Sequence, residues 1–110
     1  MKKLIVYGTQ YGTTKRYAEK FSEIMDIPCI SYEEVKALSG YDVVIHFGGL
    51  YAGGVKGLKA TIKSLPENTR LIIVTVGLAD VSDEENINNI RRSIRRQVPA
   101  RVMDNTMMFH

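Results

Sequence analysis

Cysteine is nearly absent from this chain. Cys29 is the only one in 110 residues, which excludes an internal disulfide and a thiolate metal cluster. A reducing compartment suits such a chain, so a cytoplasmic location is expected. No apolar run approaches the roughly 18 residues of a membrane span. The basic start is followed by an apolar run too short for a signal peptide, with no small-residue cleavage site behind it. Neither sign of charge dominates: 15 Lys and Arg stand against 12 Asp and Glu. The excess is local. Residues 1–50 hold six basic and six acidic side chains, and residues 51–110 hold nine and six. Four of those nine are Arg91, Arg92, Arg95 and Arg96. A Ser/His/Asp set and a carboxylate pair are both missing, and His46 has no second His or carboxylate at a ligand spacing. No metal site is expected.

What is present fits one domain with a real core. A chain this long buries roughly two thirds of its unfolded surface. The stretch Leu4–Thr14 organises it. Leu4 to Tyr7 are apolar or aromatic without alternation, as in a strand buried on both faces. Gly8, Thr9, Gln10, Tyr11, Gly12, Thr13 and Thr14 follow, and an amphipathic segment starts at Lys15. This is strand, hydroxyl-rich loop, helix N-terminus. Such an end exposes unpaired N–H groups and a positive dipole, so a phosphate could be held there without a lysine. An ordinary strand-to-helix turn with a capping Thr fits the same residues.

The spacing predicts a helix over 13–25, with Tyr17, Ala18, Phe21, Ile24 and Met25 as its core face. Residues 26–30 read as a short strand, and Pro28 places it at a sheet edge. Ser31 to Glu34 has the form of a capping box, predicting a short helix that carries Val35 and Leu38 and stops at Gly40. Cys29 reads as an inert small hydrophobe. Residues 41–47 form a central strand, with His46 packed and hydrogen-bonded inside it. Gly48, Gly49, Leu50, Tyr51, Ala52, Gly53 and Gly54 read as a loop whose backbone can approach a ligand. A helix is expected over 55–65, ended by Pro66. Residues 70–76 are the strongest apolar run, followed by a loop at Gly77, Leu78, Ala79, Asp80 and Val81. Ser82 to Glu85 is a second capping box, opening a helix with Ile87, Ile90, Ile94 and Val98 on one stripe. Its four arginines read as a solvated face matched to the negative helix end. The functional reading of that cluster is docking to an acidic partner protein, nucleic acid or anionic lipid. A fifth strand region follows from residue 101.

Strand and helix thus alternate four times before a last strand, which is an α/β domain with a mostly parallel sheet. Ligands bind such sheets at the carboxyl ends of the strands, where the loops at 8–14, 48–54 and 77–81 converge. The first loop lacks the Lys of a nucleoside-triphosphate loop and the spacing of a dinucleotide fingerprint. His46-Phe47-Gly48 stands where a response regulator would carry its exposed Asp.

Across essentially its whole length the chain resembles the flavodoxin-type proteins, most closely those related to bacterial flavodoxin-type protoporphyrinogen oxidases. Thr9-Gln10-Tyr11-Gly12-Thr13-Thr14 matches the family's phosphate loop. Phe47-Gly48-Gly49-Leu50-Tyr51-Ala52-Gly53 matches the loop along the isoalloxazine ring, and Gly77-Leu78-Ala79-Asp80 the loop on the other side. The resemblance implies a doubly wound parallel sheet in the order 2-1-3-4-5 and FMN as cofactor. It implies electron transfer or flavin-dependent oxidoreduction with a redox partner protein or a small-molecule electron donor. The expected FMN-binding residues are Thr9, Gln10, Tyr11, Gly12, Thr13, Thr14, Gly48, Gly49, Leu50, Tyr51, Ala52, Gly53, Gly77, Leu78 and Asp80, with no catalytic acid or base. Three features depart from ordinary members: Tyr11 replaces a small hydroxyl residue, the charge is basic rather than acidic, and the chain ends near the fifth strand without the family's last helix. The shortened end predicts an uncovered sheet face and a homo-oligomer. The arginines predict steering of an acidic partner or peripheral contact with an anionic membrane, with no nucleic-acid partner. A flavin-free interaction or dimerisation domain is the alternative function.

Overall fold

The computed structural model describes residues 1–9, 12–51, 54–66, 68–76, 84–99 and 106–109, with the backbone alone at 50, 51, 84–87, 90 and 93. Strand β1 (Lys3–Gly8) leads to helix α1 (Thr13–Met25) and strand β2 (Cys29–Ser31). Strand β3 (Val43–Tyr51), a two-residue strand β4 (Gly54–Val55) and helix α2 (Leu58–Ser64) follow. Strand β5 (Arg70–Val76), helix α3 (Glu84–Gln97) and strand β6 (Thr106–Phe109) complete the order.

The parallel strands lie in the order β2-β1-β3-β5-β6, and β4 pairs antiparallel with the end of β3. Counting the parallel strands alone, this is the expected order 2-1-3-4-5. The central strands are apolar in both directions because both faces are covered. Leu4, Val6, Val44, Leu71 and Ile73 point to the face that also holds Leu58, Ile62, Ile94 and Val98. Ile5, Val43, Ile45 and Phe47 point to the face that holds Ala18 of α1. Phe21 packs there against Phe47, ring centroids 5.5 Å apart.

Five expectations are corrected. The second strand is Cys29–Ser31, with Pro28 just before it, although it is an edge strand as expected. The helix predicted after Ser31 is one 3-10 turn, Tyr32–Glu34. The Ser31 hydroxyl accepts the Glu33 N–H there, and Val35 is already extended. The distance to be covered explains this. Ser31 is level with Tyr7 and Val43 with Lys3, so the chain between them must cross β1 and descend the sheet. Extended chain spans about 3.3 Å per residue against 1.5 Å in a helix. Leu38, on that descending stretch, is anchored in the core.

The core face of α1 is narrower than predicted. Thr14 and Ala18 are buried and Phe21 half-buried, whereas Tyr17 is 59%, Ile24 67% and Met25 51% exposed. One helix lying on β1 and β3 covers a limited arc, and Tyr17 and Ile24 fall beside it. Finally, Gly48 to Tyr51 continue β3 instead of forming a loop, and Val55 belongs to β4 rather than to α2.

Candidate functional site

The register of the sheet brings the loops after β1 and β3 together. Gly8 is level with Gly48 across β1 and β3, and Gly48 and Gly49 are level with Thr75 and Val76 of β5. The first and second site stretches therefore begin side by side, and β5 ends beside them. Gln10, Tyr11, Ala52, Gly53, Gly77, Leu78, Asp80 and the side chains of Leu50 and Tyr51 lie outside the described residues.

The start of α1 is built by Thr9 and Gly12. The Thr9 hydroxyl accepts the Gly12 N–H at 2.8 Å, closing a tight turn. Gly12 sits at φ 87°, and a Cβ there would meet nothing within 4 Å. Gly12 is the N-cap and supplies no side-chain acceptor, and the first turn carries no acid. The N–H groups that open α1 are thus not claimed by a cap. Thr13 is exposed, while Thr14 is buried beside Gly49, a Cβ on which would lie 3.1 Å from the Thr14 hydroxyl. Among the described residues the Thr14 hydroxyl has no hydrogen-bond partner. An uncapped helix start with hydroxyls on both sides of it has the donor set a phosphate dianion requires. The residues present can take a phosphate group.

The second stretch is a hairpin. β3 runs up to Tyr51 and returns as β4, pairing Leu50 with Val55 and Tyr51 with Gly54. The Lys56 N–H then donates to the Gly49 carbonyl at 2.9 Å. Below the hairpin lies His46, fully buried as expected for a packed histidine. Its Nε2 is 2.9 Å from the Lys56 carbonyl and its Nδ1 2.8 Å from the Thr61 hydroxyl. A carbonyl only accepts, so Nε2 carries the proton and Nδ1 accepts from Thr61. Burial pulls the imidazole down to about 4, and the bond to the Lys56 carbonyl opposes this only in part. His46 is therefore neutral at pH 7. From α3, the Gln97 Oε1 accepts the Val55 N–H at 2.9 Å. Thr61 and Gln97 carried no sequence signal, since both partners are remote in the chain.

Cys29 lies on edge strand β2, half-buried, and burial followed by the Glu19 charge pushes its thiol up to about 11. That is the reverse of an activated nucleophile. Arg91, Arg92, Arg95 and Arg96 are all exposed on α3. Among the described residues their one side-chain hydrogen bond runs from Arg92 to the Asn89 side chain, at 3.4 Å. A separate shallow hollow, among Met1, Lys3, Met25, Pro28 and Tyr41, lies at the amino ends of the strands, away from both site stretches.

Comparison with known proteins agrees with this geometry. A profile described as the flavodoxin domain matches residues 4–109. No curated protein sequence matches the chain. Among solved structures, a candidate flavoprotein from Bacteroides eggerthii DSM 20697 superposes with a TM-score of 0.67 at 12% identity, over 99% of this chain and 86% of that one. A flavodoxin variant from Fusobacterium nucleatum bound to flavin mononucleotide gives 0.63 at 17%, over 98% and 68%. A flavoprotein from Lactobacillus acidophilus NCFM in complex with FMN gives 0.59 at 14%, over 97% and 89%. At these identities the structures speak for the fold, and the profile, matching nearly every residue, speaks for the lineage: the chain belongs to the flavodoxin domain family.

Proposed function

We propose that this protein binds FMN at the carboxyl ends of β1, β3 and β5 and serves electron transfer or a flavin-dependent oxidoreduction. The observation that carries the reading is the uncapped start of α1, turned by Thr9 and Gly12 and set against Gly49. Thr9, Thr13, Thr14 and the N–H groups of residues 10, 11, 13 and 14 would hold the phosphate, the Gly12 N–H being taken by the Thr9 hydroxyl. Gly48 to Gly53 would border the ring, with Leu50 or Tyr51 on one face, and Gly77, Leu78 and Asp80 would border the other. The flavin supplies the redox chemistry, and the chain supplies binding and tuning. The FMN named with the Fusobacterium and Lactobacillus structures supports the choice of cofactor. The expected counterpart is a redox protein or a small-molecule donor in the cytoplasm. Within the family, the resemblance at Tyr11 is what supports kinship with the protoporphyrinogen oxidases, which oxidation of protoporphyrinogen by the loaded protein would test. Titration of apo-protein with FMN, followed by flavin fluorescence and visible absorbance, should show quenching and a spectral shift at 1:1 stoichiometry. Neither change at high protein concentration would refute the flavin reading.

A second reading has its own observation. On the sheet face that carries α1, Met107 and Phe109 of β6 are 53% and 51% exposed, and Tyr17 and Ile24 of α1 are bare as well. An apolar surface of this kind suits a partner or a second copy. A colourless preparation that sizes as a dimer and ignores added FMN would favour a flavin-free dimerisation domain, and a yellow one the flavin reading.

A further inference from the structure

The hairpin that returns from the ring-bordering stretch is too small to hold itself. Two paired residues on each side make an isolated ribbon that is marginal in water. Two side chains from elsewhere in the fold grip it. His46, from within β3, donates to the Lys56 carbonyl at 2.9 Å and is itself held by Thr61 of α2. Gln97, from the last position of α3, accepts the Val55 N–H at 2.9 Å. The arm is closely packed. A Cβ on Gly54, which sits at φ 128°, would lie 2.7 Å from the Gln97 carboxamide carbon. A Cβ on Gly8 would lie 2.6 Å from the Lys56 carbonyl carbon. The return arm is thus pressed onto the sheet by one contact and tied to α3 by the other.

We infer that His46 and Gln97 are positioning residues for the FMN ring: by fixing the arm Gly54–Gly57, they hold the strand end Leu50–Tyr51 paired to it before any cofactor arrives. This rests on the flavin reading for what the stretch borders, though not for the grip itself. Each residue acts through a backbone group, and an arm ordered in advance spares the cofactor the cost of ordering it.

The test uses the full chain with Gln97→Ala, Gln97→Glu and His46→Gln. Hydrogen exchange of the Val55 and Lys56 amides in apo-protein reads the grip without flavin. FMN affinity and the midpoint potential of bound flavin read its effect on the site. Gln97→Ala should speed Val55 exchange about tenfold, as loss of one hydrogen bond implies, while exchange in β1 and β5 stays as in wild type. FMN affinity should fall about three- to tenfold, and the potential should move, because oxidised and reduced flavin meet a loosened ring border differently. Gln97→Glu, whose carboxylate can accept the same N–H, should restore the slow exchange. His46→Gln should act at Lys56 in the same way; if it fails to fold, the Gln97 pair decides. Wild-type exchange at Val55 in Gln97→Ala, or no rescue by Gln97→Glu, would overturn the grip. Unchanged FMN affinity and potential in Gln97→Ala would overturn the positioning role. A wild-type chain that binds no FMN at all would remove the flavin reading and that role with it, and leave the exchange result to judge the grip.

Discussion

Gly8→Ala should be among the most damaging single-methyl additions in this protein. Gly8 ends β1, and the backbone of Lys56 crosses directly over its α-carbon. The new methyl would lie 2.6 Å from the Lys56 carbonyl carbon and 3.1 Å from the Gly57 nitrogen. Both are main-chain atoms, so no side chain can swing away. Overpacking of a tight site costs about 1–3 kcal/mol. If Lys56 moves instead, its carbonyl leaves the His46 Nε2–H, and a buried donor without its partner costs about 1–3 kcal/mol more. At about 4 °C per kcal/mol for a domain of this size, the two costs together should lower the melting temperature by roughly 8–24 °C. Gly12→Ala is the matched control. It must hold a left-handed φ of 87° but meets nothing within 4 Å, so it should cost only about 1–2 kcal/mol. Thermal melts of both apo-proteins by circular dichroism decide the matter. A Gly8→Ala protein that melts within about 3 °C of wild type, or above Gly12→Ala, would refute the close crossing of Lys56 over β1.

Three further outcomes are expected. The buried neutral His46 binds fewer protons when folded than unfolded between its folded value of about 4 and the ordinary 6.5, so stability should fall as pH drops through that window. The loss is on the order of 3 kcal/mol, and urea midpoints at pH 7, 5.5 and 4 should show it in wild type and not in His46→Gln; equal slopes in the two would count against it. With its thiol pushed to about 11, Cys29 should alkylate roughly a hundredfold more slowly at pH 8 in the native protein than in urea, as mass spectrometry would report; equal rates would mean an accessible, ordinary thiol. Replacing Arg91, Arg92, Arg95 and Arg96 with Gln should leave the melting temperature within about 2 °C, because all four are exposed. If the cluster steers an acidic partner or meets an anionic membrane, binding of either should drop at low salt, with a gap that closes as salt is added; identical binding at low salt would leave only a solvated face.

The regular elements were readable wherever one local signal sufficed. The apolar run 70–76 is β5 and the helical spacing over 13–25 is α1, both with the expected bounds. The failures lie where the decisive interaction is distant. Periodicity groups Tyr17 and Ile24 with Ala18, but cannot say how wide an arc the sheet covers. Ser31 to Glu34 has the letters of a capping box, but the need to reach Val43 stretches the chain after one turn. The glycines at 48–54 look like a loop, yet Leu50 and Tyr51 find strand partners at Val55 and Gly54. Within the candidate site, the turn at Thr9 and Gly12 follows from local chemistry. The Gln97 bond to Val55 joins residues 42 apart in sequence, and no pattern of spacing could have announced it.

The parallel sheet also governs how the chain comes together in time. No two neighbouring parallel strands are close in sequence: Ile5 meets Cys29, Lys3 meets Val43, Val43 meets Arg70 and Leu71 meets Thr106. Each pairing must close a long loop before it gains any contact, the feature that slows folding across small domains. On a growing nascent chain β1 is synthesised early, yet its larger partner β3 follows only some forty residues later. Until then the run Leu4–Val6, wholly buried in the native sheet, has only the three-residue strand β2 to pair with. That interval, more than any weakness of the finished fold, is when this protein most needs protection from aggregation.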